Sequence, residues 1–328
     1  MIELLFVILP HSCALDWAGP AEAFRIANQT LERQGKPAAF RMRFVGPPLL
    51  NGQAVSSVGA QLMQLEALPD KLTNPSWVIL LGSPDEHINL SSPPVRALDA
   101  WLRKIRPQLQ APHRLITVCA GALLAAQAGL LAGAQVTTHH LELDALQRLE
   151  PNAQVLANRI FVADTTHNIY SSAGITTGID LAVHLIAEVC SEAVAARVAQ
   201  VMVMPMRRSA SDPQLSAFLS NRAHLHPAVH RVQDALSLSP QQAWTADSIA
   251  EVACTSTRHA NRLFDEHVGL SPLEFLRNIR VEQAAKALQS GKSVAQAAKL
   301  CGFSSELQMR RAWKAVGQAG LPSQVKAR

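Results

Sequence analysis

The chain has 328 residues, of which 48% are hydrophobic and 17% charged, with a formal net charge of +5. This is long enough for two cores and too apolar for a disordered chain. The charge is uneven: residues 1–206 hold 14 Lys/Arg against 16 Asp/Glu, and residues 207–328 hold 16 against 9, so the cationic excess lies in the last third and points to a polyanion there.

The opening run Leu4–Leu9 is too short for a signal-peptide core and lacks a basic leader, and no stretch reaches the roughly 18 apolar residues of a membrane span. The five cysteines are scattered, with no Cys-x-x-Cys pair, which argues against structural zinc and a disulfide framework and for a reducing compartment. The expectation is a cytoplasmic protein without a metal or other cofactor.

In chain order, Ile2–Leu9, Phe40–Val45, Trp77–Leu81, Leu115–Val118 and Ile160–Ala163 read as buried strands. Pro20 marks the start of a helix over Ala21–Asn28, and Ser92-Pro93-Pro94 the start of one over Val95–Arg106. Further helices are expected over Ile175–Ala187 and Glu192–Val203. Apolar strands alternating with helices imply a doubly wound, mostly parallel α/β sheet.

The segment LITVCAGALL carries a strand straight into Cys119, with Ala120-Gly121 opening a helix, so the thiol should stand on a sharp elbow at the carboxyl edge of the sheet. The positive end of that helix favours a thiolate. His139 and His140 follow a short strand, Asp16 follows the first strand, and Gly82 follows the Trp77 strand with a backbone N–H to offer an anion. These residues are candidates for one ligand pocket. Asp16 serves equally as the N-cap of the helix near Pro20, and His140 as a surface residue.

Residues 204–227 mix Pro, Ser, Ala and an Arg pair and read as a linker between a domain at 1–203 and one at 228–328. His224, His226 and His230 lie at its end without an acidic or thiol partner nearby in sequence, which argues against a metal site. Beyond it everything reads as helix: a stripe of Val229, Val232 and Leu236, then Thr245–Ala253, Ser256–His267, Pro272–Gln289, Ser293–Leu300 and Ser305–Ala315.

Two helix-turn-helix units are visible there. In the first, Ile249, Ala250 and Ala253 point inward, a small-residue turn follows, and a helix opened by Ser256 presents Arg258, His259 and Arg262. In the second, Ser293 and Ser305 are N-caps, Gly302 turns the chain, and Gln308, Arg310 and Arg311 lie on the helix anchored by Met309 and Trp313. Arg262 matches Arg311 at a separation of 49 residues. A tandem of this kind places recognition helices in successive major grooves of double-stranded DNA, about 34 Å apart.

The tandem, with NRLFDEHVGLSPLEFLRNIRVEQAAKAL between its units and the GFSS turn, resembles the AraC/XylS transcription regulators over residues 228–322. That resemblance implies promoter binding, more often activation than repression. Where that family closes on Gly-x-Ser-Pro, this chain reads KAVGQAGLPSQVKAR. Residues 3–190, with LDWAGPAEAF, the Cys119 elbow, TTHH and SSAGITTGIDLAVHLI, resemble the class I glutamine-amidotransferase-like superfamily. Together the halves resemble the GlxA-like subgroup, implying a small-molecule effector, an amine or amino-acid derivative, bound near Cys119. In the superfamily's enzymes the elbow cysteine is a nucleophile hydrogen-bonded by a carboxylate, positions that Cys119 and Asp16 match. The alternative function is therefore a cysteine-dependent hydrolase or hydratase. Ala120 and His140 replace the Thr and Trp common in relatives. A homodimer is expected, since most oligomers are two-fold and a regulator gains specificity from repeated half-sites.

Overall fold

The computed structural model describes residues 1–83, 89–157, 159–204, 224, 226–318 and 320–325. The chain divides into two compact units, Met1–Gln214 and Leu215–Arg328. Most of the expected linker, 204–227, including Arg207-Arg208, falls outside the described residues.

The first unit runs β1 (Ile2–Val7), α1 (Ala14–Arg33), β2 (Phe40–Gly46), β3 (Gln53–Val55), β4 (Gln61–Met63), β5 (Glu66–Ala67), β6 (Ser76–Leu80), α2 (Pro93–Ile105), β7 (Arg114–Val118), α3 (Gly121–Gln127), β8 (Gln135–Val136), α4 (Leu143–Leu149), β9 (Gln154–Val155), β10 (Phe161–Asp164), β11 (Ile169–Ser172), α5 (Thr177–Val189) and α6 (Glu192–Val201). Seven strands form one sheet in the order β10-β11-β7-β6-β1-β2-β5. Every pairing is parallel except β10 with β11. Leu4, Phe6 and Ile79 on one face and Leu5, Val78 and Leu115 on the other are buried, as strands covered by helices on both faces require.

The order has a physical consequence. From β1 the chain first builds outward through β2 and β5, then returns to the other side of β1 for β6 and β7. The connections diverge between β1 and β6, leaving a crevice at their carboxyl ends, where open α/β sheets bind ligands.

Two expectations fail in this unit. Pro20 does not start a helix: α1 begins at Ala14 and carries Pro20 in its interior. A mid-helix proline costs about 3 kcal/mol, offset here by burial, with the proline ring close beside Gly178 of α5. β11 was not expected at all. Three residues of its sequence IYSS carry hydroxyls, yet all four are buried; the Ser171 hydroxyl accepts the Thr137 N–H at 2.8 Å, and the backbone of the strand pairs with β7 and β10.

The second unit runs α7 (Pro227–Leu238), α8 (Ala246–Ala253), α9 (Thr257–Val268), α10 (Pro272–Gln289), α11 (Val294–Leu300) and α12 (Glu306–Ala315). It has two small cores, one around Val232, Leu236, Ile249, Phe264 and Phe275, the other around Val281, Leu288, Ala298, Met309 and Trp313. Helix α10 supplies both. At 100° per residue, its Phe275, Leu276 and Ile279 face one way and its Val281, Ala284 and Leu288 nearly the opposite way, so one helix closes two cores.

The two cores are also tied at a loop. The guanidinium of Arg280 donates to the carbonyls of Pro240 and Gln242, both at 2.7 Å. A Cβ on Gly302 would stand 2.6 Å from the Gln241 carbonyl oxygen. Residues 240–242 are thus held between the linking helix and the turn of the second helix-turn-helix.

Candidate functional site

At the carboxyl edge of the sheet, Cys119 follows β7 with a φ of +56°, the left-handed conformation of an elbow. It is fixed from both sides: its N–H donates to the Ser172 carbonyl at 3.1 Å, and its own carbonyl accepts from the Thr138 hydroxyl at 2.9 Å. The unexpected strand β11 therefore anchors the elbow.

Gly82 lies against this turn. A Cβ there would meet Ala120 N at 2.8 Å, the Cys119 Cβ at 2.9 Å and Asp16 Oδ2 at 3.1 Å. Asp16, Gly82, Cys119 and Ala120 are thereby gathered at one point, from the ends of three adjacent strands. Asp16 is not a helix N-cap; it sits in the first turn of α1, with Cys13 at the cap position. Its carboxylate accepts the Gly82 N–H at 3.0 Å, so the backbone donor expected to meet a ligand anion is already engaged by a protein one.

Asp16 is fully buried, and loss of solvation raises its carboxyl from the ordinary 3.8 to about 7, against the opposing hydrogen bonds from Gly82 and the Cys13 thiol. The Cys119 thiol is 7% exposed. Burial pushes its pKa up, and the nearby charges of Asp16, Cys13 and Glu142 push the same way against the Ala120 N–H. The expected thiolate is therefore contradicted: a short helix end cannot offset desolvation and surrounding acids. His139, half-buried, lies tilted against the exposed His140 with ring centroids 4.3 Å apart. Burial and its neighbour lower the His139 pKa, which keeps that imidazole neutral. Cys13, Thr138 and Glu142 are the residues that sequence reasoning missed; none belongs to a recognisable spacing, and only the fold brings them to the elbow.

A cavity of ≈ 250 Å³ opens in the crevice between the ends of β1 and β6, lined by Leu9, Ser12, Leu81, Gly82, Ser92 and Leu124 among others. Gly82 joins it to the elbow, while Cys119, Asp16, His139 and His140 do not line it.

In the second unit each recognition helix opens on a serine. Ser256 Oγ accepts the His259 N–H at 3.3 Å, and Ser305 Oγ accepts the Gln308 N–H at 3.2 Å. The 49-residue offset holds throughout. Ala260, Leu263 and Phe264 are buried in α9, and their counterparts Met309, Ala312 and Trp313 in α12. The exposed faces are Arg258, Asn261 and Arg262 on α9 and Leu307, Arg310 and Arg311 on α12.

Arg262 reaches His259 at 3.2 Å and Glu266 at 3.5 Å, and Arg310 reaches Glu306 at 3.8 Å. Among the described residues, Arg258 and Arg311 have no carboxylate within ion-pair distance. Gln308 is exposed, but its side-chain oxygen is engaged locally, accepting from the Ser304 N–H and hydroxyl at 2.6 and 3.0 Å. Arg311 also borders a cleft of ≈ 530 Å³ with Arg277, Arg280 and Trp244, and the exposed Arg277, on the linking helix, had no signal in the sequence pattern.

The three histidines at the start of this unit meet a fourth. His224 meets His230 edge-on with ring centroids 4.7 Å apart, and His226 lies tilted against His267 at 4.8 Å. Among the described residues no group of three such side chains is arranged to hold a metal ion, and no helix is long and apolar enough to cross a membrane.

Residues 249–326 match the model of a helix-turn-helix domain. The chain is 26% identical to the HTH-type transcriptional regulator GbdR of Pseudomonas aeruginosa, over 92% of this chain and 77% of that protein. It is 27% identical to the HTH-type transcriptional regulator CdhR of the same organism, over 99% and 91%. The fold also matches a ThiJ/PfpI family protein from Pseudomonas syringae, at 19% identity and a TM-score of 0.50, covering 76% of this chain and 88% of that one. With a helix-turn-helix domain at 249–326, similarity along most of its length to proteins that are themselves HTH-type transcriptional regulators, and a fold shared with a ThiJ/PfpI protein, the chain is a DNA-binding regulator of the helix-turn-helix kind.

Proposed function

We propose that this DNA-binding regulator is ligand-gated: α9 and α12 lie in successive major grooves of a promoter, and a small metabolite bound in the first unit changes how they do so. The reading assigns 1–203 to sensing, 204–227 to the linker and 228–328 to DNA. One observation carries it: two serine-capped helices present equivalent exposed faces, Arg258–Arg262 and Leu307–Arg311, while burying equivalent anchors. Ser256, His259, Ser305, Gln308 and Arg310 complete these faces as positioning or phosphate-contacting groups.

The effector, an amine or amino-acid derivative, takes the crevice beside Gly82, backed by Asp16, Cys119 and Ala120, with His139 and His140 at the neighbouring loop. It acts only through unequal affinity for two arrangements of the protein. The regulator works in the cytoplasm as a homodimer and an activator. A hydrolase or hydratase finds less support, because a buried thiol held protonated is a poor nucleophile.

Purified protein should retard promoter fragments at low salt, with log affinity falling by about 0.9 per phosphate contacted for each log unit of salt. Arg258→Ala and Arg311→Ala should each cost about 1–3 kcal/mol on the specific site if they read base edges. A loss equal on all sequences would assign them to phosphate, and no retardation of any fragment would end the reading. Cys119→Ala should alter the response to effector and leave DNA affinity intact.

A further inference from the structure

We infer that Leu307 reads the 5-methyl group of a thymine, so that the two recognition helices demand chemically different half-sites. This rests on the proposal that α12 lies in a major groove.

Leu307 is 57% exposed and is the second residue of α12. An exposed leucine alone means nothing; this one is informative by position. Forty-nine residues earlier, at the same station behind a serine cap, stands Arg258. The first turn of a recognition helix is the part that reaches base edges. Leu307 belongs to neither core of the unit, and its neighbours Glu306 and Gln308 are exposed and polar, so packing does not call for a hydrocarbon there.

The surroundings narrow its role. Glu306 pairs with Arg310 one turn on, and the Gln308 side-chain oxygen is occupied by Ser304. The front of α12 therefore offers a branched hydrocarbon, with Arg311 one turn behind it. In the major groove only one base feature rewards hydrocarbon contact, the thymine methyl, whereas a guanidinium at the same station in α9 suits the O6/N7 edge of guanine. The bipartite site should accordingly pair a guanine-centred block for the first unit with a thymine-containing block for the second.

The test is selection of a randomised synthetic duplex library on the full chain, followed by thymine-to-uracil replacement, which removes only the methyl group. Two blocks about one helical turn apart are expected, with the block lost in Arg311→Ala assigned to α12. Uracil at one thymine of that block should weaken the wild type about fourfold and leave Leu307→Ala unaffected, while Leu307→Arg should shift the preference at that position toward guanine. If base changes in the block matter but no uracil does, or if uracil weakens wild type and Leu307→Ala equally, the assignment of Leu307 is overturned while α12 keeps its groove. If no base in a second block matters and Arg311→Ala changes nothing, the groove placement itself fails and this inference fails with it.

Discussion

Two cysteines, one in each unit, share a backbone conformation: Cys119 has a φ of +56° and Cys254 a φ of +55°. Both end an element and start a turn, and side chains seldom adopt that geometry because Cβ crowds the following carbonyl. Their settings differ. Cys119 is buried, bonded through backbone to β11 and Thr138, and faces Asp16 and Gly82. Cys254 is exposed, and its N–H and thiol are engaged only by carbonyls of the last turn of α8. The first conformation is imposed by the packing of three strands; the second is a local C-cap that any residue tolerating a positive φ can fill. Strain held by many partners marks a candidate site, and strain held by one does not.

The imposed half of the comparison can be broken at Gly121. A Cβ there would lie 2.3 Å from the Leu80 carbonyl oxygen and 2.7 Å from its carbon, both backbone atoms of β6 with no freedom to retreat. Gly121→Ala should therefore cost the first unit about 5 kcal/mol or more. Calorimetry of the full chain should show its transition lost or sharply lowered; an unchanged transition would mean that the elbow is not locked against β6.

The next effect is electrostatic and depends on pH. Unfolded, Asp16 loses its proton near the ordinary 3.8; folded, it keeps it until about 7. Between those values the native state holds the extra proton, so the carboxyl's penalty on stability grows as pH rises through this window and is complete above it, reaching about 4 kcal/mol. Asp16→Asn keeps an acceptor for the Gly82 N–H without the charge. Denaturant titrations should show the variant gaining on wild type from pH 5 to pH 8, and a gain in the opposite direction would mean that the carboxylate has an unseen cationic partner.

The same contrast explains what the sequence disclosed. The recognition faces were legible because each lies on one helix: periodicity alone separates Ala260, Leu263 and Phe264 from Arg258 and Arg262, and the serine caps fix the register. The parallel sheet was legible from apolar strands such as SWVIL, but β11 was hidden because its buried serines look like a loop. The elbow was visible as strand, Cys119, Ala120, Gly121. Its chemistry was not, since burial and the approach of Asp16, Cys13 and Glu142 are long-range facts that turn an expected thiolate into a thiol. Pro20 misled because a proline inside a helix is tolerated only where tertiary burial offsets its cost. Leu307 was passed over because an apolar residue on a basic face breaks the pattern being sought.

The smallest effect sharpens the local half of the comparison. In the first helix-turn-helix the left-handed residue is Cys254, nine positions after the cap Thr245; in the second it is Gly302, nine positions after Ser293. Glycine adopts this conformation without the Cβ clash, though it gains freedom in the unfolded chain. Because Cys254 is exposed and makes no packing contribution to weigh against, Cys254→Gly should stabilise the second unit by about 0.5–1 kcal/mol, read as a higher midpoint in denaturant. Gly302→Ala should do the reverse and by more, since its Cβ would also meet the Gln241 backbone. Equal and opposite shifts at the two positions would show that φ alone matters; a larger loss at Gly302 would show that the second turn is also where the two helix-turn-helix cores are held together.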